Sequence, residues 1–470
     1  MKKRMRMRHG CRAWLLRRTL LARPDYAAFV KVLKLPEYDP DLSTGKELGE
    51  MERIVASLVV LCPHLEKLVG YYPEYRAGAK DGIQAALLSR DFLKEHVWTI
   101  GSDGPMQLTQ SEAFVNCHIR WTKLETLVLH GRAGQKGGSM SPLTFAGLFE
   151  SLPALRKLLI SRFHDYEFDD NTLLAIPDQV ERLRLEELPG VTDSGISRYV
   201  EQPGPARRLR VLALMDLEIL SLLVISKLFA RLTNLEKFTL LQTACPQLPV
   251  EATAKPHLTS KSLQLLHWDV LIPGPGNAIL ARSIHSSGFP SLKAIRAPSD
   301  HHGVLQAVCK PLEQIVLPFD KIEARILRAQ KKMRENEYYY PETRYSRSLP
   351  QARLNAQERI EAARKSTFMR ILVTEGVMQK ASLSVDLKAF MGDWKSRVNY
   401  ELLPDLWGSE YAVLGLSSLL AGRIIAEWKQ PEGAEMCVGK WNSDSKMPPR
   451  WWAHTERTPG MRDMALSILF

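Results

Sequence analysis

The chain is short of cysteine, of long apolar runs and of the usual catalytic signatures. Its six cysteines, Cys11, Cys62, Cys117, Cys245, Cys309 and Cys437, are nowhere two or three residues apart. That excludes a zinc ribbon or a redox pair. So few thiols in 470 residues do not make a disulfide scaffold. They are read as reduced, and the chain as intracellular, in the cytoplasm or the nucleus. No window approaches the ~20 apolar residues of a membrane span, so neither a span nor a membrane partner is expected. The nearest candidate, Ala412 to Gly422, stops at Arg423 and reads as a buried or amphipathic helix. There is no phosphate-binding loop, no dinucleotide fingerprint, no nucleophile elbow and no H-E-x-x-H. No enzyme activity, cofactor or metal is therefore expected. Gly131 to Gly138 is glycine-rich, but no Ser or Thr follows its lysine, and it reads as a loop. His301 and His302 read as a surface pair, because no further ligands are spaced beside them. Cys437 and His454 are too little for a zinc or Cys-His site.

Hydrophobic residues make up 45% and charged residues 25%, ordinary values for a folded chain. The net charge of +12 is unevenly placed. Residues 1–23 hold nine Lys/Arg and no acid, and residues 321–365 hold twelve basic and six acidic residues. The remainder is slightly acidic, so the overall basicity is no argument for nucleic acid. The start has no secretory pattern. Its Arg-rich, acid-free character would suit a transit peptide, but it lacks serine. It reads as a basic helix with Trp14, Leu15, Leu16, Leu20 and Leu21 as its apolar side. The Lys/Arg cluster could also serve as a nuclear signal.

One pattern recurs, L-x-x-L-x-L. It begins as Leu65-Glu-Lys-Leu68 and returns as Leu124-Glu-Thr-Leu127-Val-Leu129 and Leu155-Arg-Lys-Leu158-Leu-Ile160. Further copies start at Val180, Leu209, Leu235, Leu263, Leu292 and Leu312. From Leu124 onward the intervals are 20 to 31 residues. Leucine-rich repeats run ~20–29 residues. The first two copies are 59 residues apart, and Asp81 to His96 has helical spacing there. That stretch reads as a helical insertion or one degraded repeat.

In L-x-x-L-x-L the fourth and sixth side chains lie on one side of a short strand and bury. The third, fifth and seventh point the other way. Between strands the spacing turns helical, as in Ile219, Leu222, Leu223, Ile225, Leu228 and Phe229. Each strand-plus-helix unit has an apolar face that it cannot bury alone, so the units stack. The expected fold is an α/β leucine-rich-repeat solenoid, with a curved parallel sheet inside and helices outside. A helical N-terminal cap and a Trp-rich C-terminal cap would close its ends. The ninth repeat position, usually Asn or Cys, holds residues such as Arg132, Leu188 and Thr243, so no asparagine ladder exists.

The outward strand positions are the candidate protein-binding residues on the concave face. They are Lys157, Arg182, Arg184, Glu186, Lys237, His267, Asp269 and Arg296. Charge reversal at Arg182 and Arg184 is expected to weaken partner capture.

After Leu317 the repeats stop. Residues 321–366 are charged, with Tyr338-Tyr-Tyr340 and Arg344-Tyr-Ser-Arg347 between two amphipathic stretches. Basic residues among tyrosines could grip RNA, but six acids weaken such a face, and a solvated insertion is preferred. Leu383 to Leu387 alternates like one more strand. The chain ends in a Trp-rich piece, Cys437-Val-Gly-Lys-Trp441-Asn442 and Trp451-Trp452-Ala-His454. Such a piece suits a solenoid cap better than an aromatic peptide pocket.

The repeats, the stretch from Leu15 to Leu35 and the C-x-G-x-W-N…W-W-x-H ending together resemble the F-box/leucine-rich-repeat proteins of filamentous fungi. The resemblance implies a non-enzymatic solenoid acting as the substrate-recruiting part of a ubiquitin-ligase subunit. It implies a Skp-type adaptor and a cullin as partners only where an F-box, which opens with Leu-Pro-x-Glu, lies upstream. None is visible before Leu15. On this reading residues 1–61 form the helical N-terminal cap that follows an F-box. Residues 62–320 carry the repeats, with the helical insertion near 71–120. Residues 321–366 are the charged, partly disordered insertion, and 367–470 hold a final repeat and the cap. The alternative is a nucleic-acid-associated protein that uses the basic N-terminus and the 321–366 loop.

Overall fold

Leucines at the first, fourth and sixth places of each repeat leave water together, and they set the architecture. Leu124, Leu127 and Leu129, then Leu155, Leu158 and Ile160, then Val180, Leu183 and Leu185 are all buried. The computed structural model describes residues 11–34, 45–69, 74–75, 82–101, 108–131, 140–249, 256–272, 274–297, 300, 303–311, 370–375, 380–386 and 392–401. The described residues form two compact units, which divide after Leu217.

The first unit opens with helices α1 (Cys11–Ala22) and α2 (Pro24–Phe29), strand β1 (Val32–Lys34) and helix α3 (Gly45–Leu61). Then come β2 (Lys67–Val69), β3 (Glu74–Tyr75), α4 (Gly82–Leu88), β4 (Glu95–Ile100) and α5 (Leu108–His118). These are followed by β5 (Thr126–Gly131), α6 (Pro142–Glu150), β6 (Lys157–Ser161) and α7 (Asp170–Leu174). The unit closes with β7 (Arg182–Glu186), α8 (Asp193–Tyr199), α9 (Pro203–Arg208) and β8 (Val211–Met215). Strands β3 to β8 pair in sequence order, every pair parallel. Register is constant from β4 to β8, so equivalent repeat positions stack. Leu127, Leu158, Leu183 and Leu212 form one such column. This is an α/β leucine-rich-repeat solenoid. Three of its short helices, α6, α7 and α8, carry a side-chain N-cap: the Ser141 hydroxyl accepts from the Thr144 N–H and the Asp169 carboxylate from the Thr172 N–H.

Of the two readings of the stretch near 71–120, a helical insertion or one degraded repeat, β4 corrects the first and agrees with the second. Leu93-Lys-Glu-His96-Val-Trp98 is a full repeat, with His96 opposite Leu127 and Trp98 opposite Leu129. It splits the 59-residue interval at Leu93. Two leucine places taken by His and Trp hid it from the pattern.

The second unit holds α10 (Leu222–Arg231), β9 (Lys237–Ala244), β10 (Leu265–Ile272), α11 (Pro275–His285) and β11 (Ala294–Arg296). A single 3-10 turn, Gln306–Val308, follows, then β12 (Arg370–Glu375), β13 (Lys380–Asp386) and β14 (Asn399–Glu401). Strands β9, β10, β11 and β14 pair in parallel in that order. The strand beyond β11 is thus β14. Leu383 to Asp386 lies in β13, which pairs antiparallel with β12. Leu383 to Asp386 is thus a strand, as its alternation indicates, but its partner is β12 and not a repeat strand. The Leu312 copy, residues 321–366 and the Trp-rich ending lie outside the described residues.

Without an asparagine ladder, separate buried side chains hold the turns. Glu167 accepts from the backbone N–H of Met140 and of His164. Gln242 donates to the Ile219 carbonyl and accepts from the Ile219 N–H. Asp300 accepts from the N–H groups of Val304, Leu305 and Gln306. Burial raises the Asp300 carboxyl above the usual range, and these donors offset only part of that.

The residue after each of three strands is left-handed without being glycine: Arg162 (φ 58°), Glu187 (φ 51°) and Asp216 (φ 50°). At the first two this conformation lets the N–H reach the next strand. Arg162 donates to the Glu186 carbonyl at 3.1 Å and Glu187 to the Met215 carbonyl at 3.0 Å. One repeat earlier the place is taken by Gly131, where a Cβ would lie 2.3 Å from the Arg162 carbonyl oxygen. The neighbour is backbone and cannot swing aside. Gly131→Ala is therefore expected to destabilise by about 1–3 kcal/mol in denaturant titration.

Among the described residues, no helix is long and apolar enough to cross a membrane.

Candidate functional site

The strand face away from the helices carries the eight expected contact residues. It is largely covered in both units. In the first, Val128, Leu159, Ser161, Ala213 and Met215 occupy fifth and seventh places and are buried. Arg184 is 4% exposed and Glu186 1%. In the second, His267 is 6% exposed and Asp269 0%. Lys157, Arg182, Lys237 and Arg296 are partly exposed. The eight expected contact residues therefore separate. Third-place side chains at the strand starts, with Arg296, reach water. Arg184, Glu186, His267 and Asp269 do not. The period of two states which side a side chain takes, not whether that side meets solvent. Arg184 donates to Glu186 at 3.0 Å, and both side chains are buried. Charge reversal at Arg184 would therefore act on folding first. Glu186, Lys237, His267, Asp269 and Arg296 also have polar or electrostatic partners.

The second repeat place carries an order that the leucine pattern obscures. Down the first unit it reads Glu66, Lys94, Glu125, Arg156, Glu181 and Arg210, with the sign alternating at every repeat. Constant register stacks these residues one strand apart. Glu66 pairs with Lys31 at 3.2 Å and with Lys94 at 2.9 Å, and Arg156 pairs with Glu181 at 2.7 Å. Lys94 lowers the Glu66 carboxyl, with Lys31 adding to the effect. Aligning the repeats and reading down that column would have found the ladder.

The third place begins in the same way. Lys67 and Glu95 pair at 2.7 Å. Further along, Lys157 and Arg182 are register partners on adjacent strands, and both are cations. They are flanked by the buried Thr126 and Val211. Neither has an ion-pair partner among the described residues. Like charges directly opposite on a sheet are destabilising. In a unit that otherwise alternates its charges, this is the one strand-start pair left uncompensated among those described.

A second cluster is buried under β4 and α5. The Trp98 indole N–H donates to His118 Nε2 at 2.9 Å, and His118 Nδ1 lies 2.6 Å from the Phe114 carbonyl. These contacts fix a neutral imidazole protonated on Nδ1. Trp121 stacks on Trp98, and His96 meets both indoles. Burial lowers His118 to about 4 and His96 to about 3. The cluster is closed packing with no access to solvent. No group of three His, Cys, Asp or Glu residues placed to hold a metal occurs among the described residues. His301, His302 and residues 132–138 lie outside them.

No protein-family model matches the chain, and no curated protein matches it. Solved structures that match include two complexes. The Rad7 and Elc1 complex in yeast matches at 15% identity, over 53% of this chain and 73% of that one, with a TM-score of 0.28. The TLR13–ssRNA13 complex matches at 13% identity, over 58% of this chain and 48% of that one, with a TM-score of 0.30. The chain thus spans about half the length of the second. At such TM-scores neither likeness carries an argument, and the fold rests on the parallel, in-register repeats described above.

Proposed function

We propose that the chain is a non-enzymatic protein-recognition solenoid. Its contact surface runs along the strand starts of the first unit and centres on Lys157 and Arg182. The observation that supports this reading is their uncompensated juxtaposition on neighbouring strands. Two unpaired cations held side by side by a rigid sheet suit the carboxylates of an acidic partner segment. Electrostatic complementarity of this kind fixes register and speeds association. In the setting that the family resemblance implies, the partner is a substrate for ubiquitination, and the chain is the recruiting part of a ligase subunit. A Skp-type adaptor and a cullin then accompany it where an F-box lies upstream.

The test is the double charge reversal Lys157→Glu/Arg182→Glu in the tagged full chain, purified from its own cells. Both side chains are partly exposed, so the fold is expected to persist, which circular dichroism checks. Proteins held by the native chain are expected to disappear from the reversed one, by mass spectrometry of the two preparations. An unchanged set of partners on a folded variant overturns the assignment of this surface.

A further inference from the structure

We propose that the N-terminal helices α1 and α2 form a peripheral docking surface for an anionic lipid bilayer, independent of the protein-recognition surface. One face of α1 is used by the fold: Ala13 and Leu20 are buried, and the Arg17 guanidinium donates to Ser57 of α3 at 2.8 Å. The rest of this segment leaves an unusual set of side chains in water. Trp14 and Leu21 are each 49% exposed, Leu15 44%, Tyr26 50%, Phe29 80% and Val32 54%. Isolated exposed apolar residues are ordinary, but six within 19 residues of sequence are an unusual concentration.

The charge in the same stretch of sequence selects the occupant; among the described side chains it is carried by Arg17, Arg18 and Arg23. Residues 1–23 contain nine Lys/Arg and no acid. The first carboxylate, Asp25, is taken up by Arg23 at 2.7 Å. Guanidinium groups lie over the aromatic rings, Arg17 over Trp14 and Arg23 over Tyr26. Such a surface combines apolar side chains that enter the headgroup boundary with cations that remain at the phosphate level. Trp and Tyr are the residues that favour that boundary. Neither helix is long enough to span a bilayer, so the helices lie on it.

The test uses the full chain with sedimented vesicles of phosphatidylcholine alone, and of phosphatidylcholine with about 30% phosphatidylserine. The chain is expected to partition onto the anionic vesicles and to leave them as salt rises. The variant Trp14→Ser/Phe29→Ser keeps every charge, and both side chains are exposed, so folding is not at issue. It is expected to lose tenfold or more in partitioning, because two aromatic insertions are removed. Three results would overturn the proposal. One is the absence of anionic-vesicle binding by the folded chain. Another is equal binding by the serine variant, which would assign the effect to basic charge alone. The third is a monomer–dimer shift in sedimentation velocity that this variant abolishes, which would assign the face to a second copy of the chain.

Discussion

Arg184→Ala is expected to destabilise the first unit by about 3–5 kcal/mol, enough to leave a marginal domain largely unfolded at physiological temperature. Removing the guanidinium leaves the Glu186 carboxylate buried without its 3.0 Å partner. Taking the charged partner away from a buried carboxylate is what makes such truncations severe, not the strength of the pair itself. The double change Arg184→Met/Glu186→Leu removes both charges and keeps apolar volume. It is expected to recover most of the loss. Chemical denaturation of the three proteins checks this. If Arg184→Ala is as stable as the parent, Glu186 is adequately solvated and the covered face is not dry.

Acid is expected to destabilise the same unit before its carboxylates titrate. His118 sits at about 4 and His96 at about 3, against an ordinary value near 6.5. The unfolded chain therefore binds protons first. The contribution is fully present above about pH 6.5 and is lost as pH falls through that window. For His118 the full loss is on the order of 3 kcal/mol, and about 2 kcal/mol of it falls between pH 6.5 and 5. The geometry explains the direction, since a protonated Nε2 would face the Trp98 indole N–H donor. His118→Gln retains an acceptor and cannot titrate there. Its melting temperature is expected to change less between pH 7 and pH 5 than that of the parent. Equal slopes would place the acid sensitivity elsewhere.

The repeat was legible because leucine recurs at a fixed offset and burial demands it. It failed at Leu93, where His96 and Trp98 fill the fourth and sixth places. There the Trp98 indole N–H is taken up by His118 Nε2, so that polar atom can be buried where leucine is the rule, while His96 packs against both indoles. Strand ownership was less legible. Alternation over 383–386 is shared by a repeat strand and a hairpin strand, and only the pairing with β12 separates them. The contact residues were legible by direction alone. Lys157 and Arg182 reach solvent while Arg184 and Glu186, on the next alternate positions, do not, and nothing local in the sequence distinguishes them.

The alternating charge column has an evolutionary consequence. Recombination between similar repeats adds or deletes whole units. Loss of one repeat from the stretch Glu66 to Arg210 would bring two like charges into register, as would duplication of one. Loss or gain of two restores the alternation. Repeat number in relatives that retain this column should therefore change by even steps, and an odd step should be accompanied by a sign change at one second-place residue.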